Sequence, residues 1–128
     1  MRRGAALLGA AFLAVIAGCG PDARMTYAEE TARRSAAALA EVETSGGEDP
    51  ELVPLLERAH VRLAQIERSI DLWHDHGGPM SYRTHAPCLR NALIALRDAL
   101  DARGRPIPID LDGADAMLSE VASHDCAP

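Results

Sequence analysis

Seven apolar residues between positions 52 and 73 repeat in steps of four and three, and this pattern constrains the fold more than any other feature of the chain. The repeat places on one helical face the residues Leu52, Leu56, Ala59, Leu63, Ile66, Ile70 and Trp73. We expect this helix to begin near Asp49-Pro50, an N-cap followed by proline. It should end at Gly77-Gly78-Pro79, because glycine caps a helix and proline prevents its continuation.

Weaker patterns of the same kind predict three further helices. One starts near Met25 and presents a thin face rich in alanine. Another starts at Ala86 or Pro87, carries leucine at positions 89, 93, 96 and 100, and stops at Gly104. A short last helix should follow Asp112 and face inward with Ala114, Leu118, Val121 and Ala122.

The connections between these helices are mostly short, which favours antiparallel neighbours. The one longer connection, Arg105 to Ile109, is held extended by its prolines, and its alternating isoleucines indicate that it lies against the bundle. We therefore predict an all-α fold, a small antiparallel up-and-down four-helix bundle formed by residues 24–128.

The N-terminal residues have the layout of a secretory signal. Arg2 and Arg3 form a positive region, Ala5 to Ala17 an apolar stretch of 13 residues, and two small residues precede Cys19. The stretch is shorter than the roughly 20 apolar residues that a membrane-spanning helix requires. We expect residues 1–18 to be a signal peptide that is cleaved.

The residues Ile16-Ala17-Gly18-Cys19 resemble the lipobox of bacterial lipoproteins, in which an aliphatic residue and two small ones precede a lipidated cysteine. The resemblance implies cleavage before Cys19, attachment of fatty chains such as palmitate to it, and the lipid bilayer as a partner. An unmodified cysteine in a signal peptide is the alternative. Gly20 stands where such proteins commonly carry an inner-membrane retention signal, so the outer membrane facing the periplasm is expected.

Cleavage would leave residues 19–23 as a tether of at most about 14 Å between the anchor and the helices. The remaining chain is acidic. The whole sequence has a formal net charge of −6, and loss of Arg2 and Arg3 makes it −8. This balance disfavours nucleic acid and anionic headgroups as partners.

Lipidation of Cys19 leaves two thiols, Cys88 and Cys126, in an exported domain, and an even remainder predicts a disulfide. Closing a loop of about 39 residues would stabilise the fold by roughly 4 kcal/mol in the chain-entropy model. Two buried free thiols are the alternative. In the antiparallel bundle both cysteines should lie at one pole, together with the start of the first helix and the loop from His76 to His85.

Four of the five histidines map to the same pole, and they form the most distinctive candidate for a ligand-binding site. They are His74, His76, His85 and His124. Imidazoles grouped with a carboxylate or thioether could bind Zn, Cu or Ni. Solvated histidines beside a glycine turn, favoured by the helix C-terminal dipole, are the competing interpretation, and we predict no metal site.

Two other motifs resemble metal sites only in part. Glu57-x-x-His60 matches a di-iron carboxylate motif, but it occurs once, and His60 lies beside the apolar face, where an exposed or half-buried position is expected. The segment from Asp110 to Asp115 resembles the start of a calcium loop, but positions five, six and twelve hold Ala114, Asp115 and Val121 in place of an oxygen ligand, a glycine and a glutamate. A helix N-cap explains the segment better.

The sequence contains no nucleophile elbow, phosphate-binding glycine loop or haem attachment motif, so we expect no enzymatic activity and no cofactor. The leading hypothesis is a lipid-anchored, noncatalytic structural or interaction module of the cell envelope. Its charged distal surface would meet an unidentified envelope protein through Glu48, Asp49 and the connection from Pro106 to Asp112. The alternative is an envelope buffer or sensor for Zn or Cu that uses the histidine cluster.

Overall fold

A computed structural model describes residues 23–46, 48–109 and 126. These residues form three helices and no strands: α1 (Ala23–Gly46), α2 (Val53–His76) and α3 (Met80–Ala102). The all-α prediction is therefore confirmed for the described part of the chain. The predicted signal peptide with Cys19, and the helix predicted after Asp112, lie outside the described residues.

Every member of the apolar repeat is buried, from Leu52 just before α2 to Trp73 in its last turn, with no more than 7 % of any of these residues exposed. The helix begins at Val53 and not at the predicted Asp49 cap. Asp49 instead organises a preceding turn, because its side-chain Oδ1 accepts the Glu51 amide at 2.9 Å and its carbonyl accepts the Leu52 amide at 3.0 Å. The predicted end is confirmed: Gly77 adopts a left-handed φ of 74° and donates its amide to the Trp73 carbonyl.

Helix α3 begins at Met80, seven positions before Pro87, so the predicted start at Ala86 or Pro87 is wrong. Proline lacks the amide hydrogen for a bond to the carbonyl four residues earlier, which normally disfavours helix on its N-terminal side. Here tertiary packing offsets that cost, because Tyr82 and Ala86 in the added turns are each 1 % exposed. The predicted stop is confirmed by Gly104, which has a φ of 64°.

Helix α2 packs against both α1 and α3. Within the described ranges, no Cα atom of α1 lies within 8 Å of a Cα atom of α3. The three helices alternate in direction, as shown by contacts between the start of α1 and the end of α2, and between the end of α3 and the turn before α2. The up-and-down order predicted for these three helices is confirmed.

The alternating directions create two ends. We call the end with the first turn of α1, the last turn of α2 and the start of α3 the aromatic pole, because Trp73 and Tyr82 close it. We call the opposite end the arginine pole, because Arg103 and Arg105 connect its segments. The segment after α3 lies against the core, with Ile107 and Ile109 partly buried, as its alternation predicted.

Candidate functional site

The predicted cysteine pair lies at disulfide distance. The Cα atoms of Cys88 and Cys126 are 5.3 Å apart, and their sulfur atoms are bonded. Because α3 begins at Met80, Cys88 lies eight residues into the helix, about 12 Å from its start. The disulfide is therefore displaced from the aromatic pole along α3, and the prediction that it lies at the pole itself is corrected.

The aromatic pole is closed by two buried rings. Trp73 and Tyr82 are 2 % and 1 % exposed, and their ring centroids lie 6.0 Å apart at an interplanar angle of 51°. The Arg24 guanidinium carbon lies 5.9 Å from the Trp73 ring centroid, within cation–π range. Burial, with a smaller contribution from Tyr27, raises the pKa of Tyr82 to about 12. Trp73 thus serves as a cap on the core.

Apolar side chains are also exposed at this pole. Tyr27 is 43 % exposed, Leu72 is 40 % exposed and Met80 is 76 % exposed. Tyr27 and Leu72 each lie one helical turn from the helix end at this pole, and Met80 is the first residue of α3. The only other large exposed apolar residue in the described ranges is Val61, in the middle of α2.

The histidines predicted as possible metal ligands do not converge. His74 Nε2 lies 3.0 Å from Glu29 Oε1 on α1, and each side chain is about half exposed. His76 is exposed, His85 is half-buried, and His124 lies outside the described residues. Over residues 23–46 and 48–109 with Cys126, no three His, Cys, Asp or Glu side chains are grouped so as to hold a metal ion.

His60 is exposed, as predicted, and its Nε2 contacts Glu43 across the α1–α2 interface. Together with Val53 and Leu56 these residues line an open groove of about 380 Å³, whose rim includes Glu48 and Glu57. The groove could not be predicted from sequence spacing, because the pairing of Glu43 with His60 depends on how α1 and α2 are aligned.

The arginine pole is held by charged hydrogen bonds that the sequence analysis also missed. Arg103 donates from Nε to Asp49 Oδ2 at 2.8 Å, from Nη2 to Glu51 at 2.5 Å, and from Nη1 to the Ala99 carbonyl at 2.9 Å. Arg105 donates to the Ser45 carbonyl at the end of α1. These bonds join the last turn of α3 to the α1–α2 connection.

The ion pairs of Arg103 change the titration of both partners. The hydrogen bond from Arg103 is the main reason why the pKa of Asp49 lies below its usual range, and the Glu51 amide adds to the effect. The same bond raises the pKa of Arg103. Asp49 was predicted to belong to a free charged surface. It is half-buried and paired, whereas Glu48 is exposed.

Comparisons with protein-family models, with curated proteins and with solved structures found no match to this chain. Among the helices that the structure describes, none has an apolar stretch long enough to cross a bilayer. The interpretation of these sites therefore depends on their own chemistry. That chemistry comprises a disulfide, the hydrogen bonds of Arg103 with Asp49 and Glu51 at one pole, which we call the clamp, and an aromatic cap with exposed apolar residues at the other.

Proposed function

We propose that this protein is a bacterial lipoprotein, anchored through acylated Cys19, whose helical domain acts as a noncatalytic structural or interaction module of the cell envelope. One observation carries the proposal. The described part of α1 starts at Ala23, four positions after Cys19. A folded body that starts so soon after the lipobox cysteine would lie within about 14 Å of the anchor. Gly20 after the cysteine favours the outer membrane, facing the periplasm.

We also propose that the domain is a four-helix bundle completed by a helix after Asp112. In a four-helix bundle, diagonal helices do not touch, and in the described ranges the Cα atoms of α1 and α3 stay more than 8 Å apart while each helix packs on α2. Arg105 contacts the end of α1 at the arginine pole, and Cys126 is bonded to α3 nearer the other end. A helix between these two points would run back along the bundle, which supports its proposed place between α1 and α3.

The interaction surface would be the arginine pole, which points away from the anchor. Glu48 is exposed there beside the clamp that Arg103 makes with Asp49 and Glu51. Because the clamp connects α3 to the α1–α2 connection, the pole presents charged groups on a braced backbone. A braced surface loses less conformational entropy when a partner binds.

The anchor is tested by intact-mass analysis of the protein purified from its native membranes. We expect loss of residues 1–18 and addition of acyl chains to Cys19, and a Cys19→Ala variant should retain its leader and carry no lipid. A bare terminus, or an uncut leader in the natural protein, would contradict the proposal.

The interaction role is tested by crosslinking in native membranes. A specific envelope protein should be recovered with the natural chain, and recovery should fall with Glu48→Arg. The matched control is Glu67→Arg, which reverses an exposed charge in the middle of α2 and should leave recovery unchanged. Equal recovery with both variants, or no specific protein at all, would count against this surface.

Metal binding by the histidine cluster is the alternative function. The structure offers it less support, because His74 contacts Glu29 and the described histidines are not grouped. Zn or Cu added to the purified domain distinguishes the two functions. A rise in melting temperature that disappears with His74→Ala and His76→Ala would favour the metal protein. An unchanged melting temperature with no bound metal would favour the interaction module.

A further inference from the structure

We propose that the aromatic pole itself contacts the lipid surface, through Tyr27, Leu72 and Met80, in addition to the acyl anchor. This inference rests on the proposed function, because the tether brings this pole to the bilayer only if Cys19 is acylated. It names a second, protein-made contact with the membrane and the residues that form it.

The large exposed apolar side chains of the described residues are concentrated at the aromatic pole. Of the four large ones in the described ranges, three belong to the aromatic pole, and Val61 alone lies elsewhere. Single exposed apolar residues are common on protein surfaces, whereas larger exposed apolar areas mark protein or membrane interaction sites. This end is also close to the lipobox in sequence, since Ala23, the first residue of α1, follows Cys19 by only four positions.

The side chains of Tyr27, Leu72 and Met80 have the chemistry that a contact with a lipid surface requires. A tyrosine has an apolar ring and a polar hydroxyl, a combination that favours the headgroup region of a bilayer. Leu72 and Met80 can each transfer apolar surface from water into the acyl boundary. Met80 is the first residue of α3 and follows the Gly77-Gly78-Pro79 turn, so its side chain projects from the end of the domain.

The charge of the aromatic pole decides what kind of lipid surface this pole can contact. Arg24 and Arg83 are balanced by Glu29, Asp71 and Asp75, so the pole carries no excess of positive charge. A basic patch is what attracts a peripheral protein to anionic lipids. The contact therefore depends on apolar burial, and it should be insensitive to both salt and the content of anionic lipid.

The experiment compares methionine oxidation by peroxide on and off the membrane, because oxidation follows exposure of the thioether. The Val61→Met variant provides an internal reference, since it places a methionine at a position that is 57 % exposed. This position lies about 22 Å along α2 from its end at the aromatic pole. The acylated variant is bound to vesicles of phosphatidylcholine and phosphatidylethanolamine, and a Cys19→Ala version without the leader is mixed with the same vesicles as the unbound control.

On the vesicles, the oxidation rate of Met80 should fall severalfold relative to the unbound control, while that of the introduced methionine should stay within about twofold. Protection of Met80 should persist at high salt and should not increase when phosphatidylglycerol is added. An unchanged ratio of the two oxidation rates on and off the vesicles, with acyl chains present by intact mass, overturns the contact but leaves the lipoprotein proposal intact. Absence of acyl chains from the natural protein overturns both.

Discussion

The two poles of this bundle are closed by opposite kinds of interaction. At the arginine pole, Arg103 connects α3 to the α1–α2 turn through bonds to Asp49 and Glu51. At the aromatic pole, Trp73 and Tyr82 seal the core, and apolar side chains remain exposed beyond them. One end is therefore closed by charge that stays partly hydrated, and the other by buried rings.

This difference gives the domain a polarity along its helix axes. Exposed ion pairs contribute little to stability, but they keep a surface hydrophilic. Buried aromatic rings contribute much more, because they remove large apolar areas from water. The stability of the fold should thus depend mainly on the aromatic pole, while the arginine pole is the end that we propose faces a partner. The predictions below test this contrast.

The largest effect is expected for Trp73→Ala, which removes a ring that is 2 % exposed from the end of the core. We expect the free energy of unfolding in urea to fall by about 4 kcal/mol. Leu72→Ala, at the neighbouring but 40 % exposed position, should lower it by less than about 1 kcal/mol. If Trp73→Ala does not fold, Trp73→Phe should still cost more than Arg103→Ala. The reverse order would break the contrast between the poles.

Removal of the disulfide by Cys88→Ala with Cys126→Ala should have the next largest effect. The bond links residues 38 positions apart, and loss of such a cross-link typically costs about 2–4 kcal/mol. Cys88 lies in the half of α3 nearer the aromatic pole, so hydrogen exchange should increase more around Cys88 than in the turn at Asp49. Uniform acceleration over both regions would show that the bond supports the whole bundle equally.

An alkaline transition should report the aromatic pole specifically. Burial raises the folded-state pKa of Tyr82 from 10.0 to about 12, so the unfolded chain loses this proton first. The associated stability is complete below pH 10 and is lost as the pH rises towards 12, with a fall of about 1 kcal/mol between pH 9 and pH 11. Tyr82→Phe should abolish this decline in urea melts, whereas Tyr27→Phe should retain it. A decline that persists in Tyr82→Phe would assign it to another group.

Part of this architecture was predictable from the sequence. All seven residues of the repeat from Leu52 to Trp73 are apolar, and Gly77 follows one turn later as a helix stop. Burial and local backbone preference therefore predict the same helix. The start of α3 was not predictable in the same way. Local rules place Pro87 in a first turn, but burial of Tyr82 against Trp73 extends the helix by six or seven residues.

The contacts that distinguish the poles could be predicted even less. Arg103 and Asp49 are 54 positions apart, and His74 and Glu29 are 45 positions apart. These pairs form because of the alignment between neighbouring helices, which depends on how their buried side chains pack against each other. The sequence analysis could predict that charged residues occur at each pole, but not which of them meet. The clamp and the groove beside His60 therefore required the structure.

The smallest effect is expected at the arginine pole, in acid. Because the pKa of Asp49 is lowered by the Arg103 hydrogen bond, the pair stabilises the fold above the ordinary aspartate pKa of about 3.9, and this stability is lost as the pH falls through the lowered value. The free energy of unfolding falls as the pH drops below 4, and Asp49→Asn should make this fall only slightly smaller. The effect is small because the side chains of Asp49 and Arg103 both keep contact with water. The matched control, Asp98→Asn, removes an exposed carboxylate beside Arg97 and should leave the fall in unfolding free energy below pH 4 unchanged. An acid effect at Asp49 as large as the alkaline effect at Tyr82 would mean that the two poles share the stability of the fold, contrary to the contrast drawn from their burial.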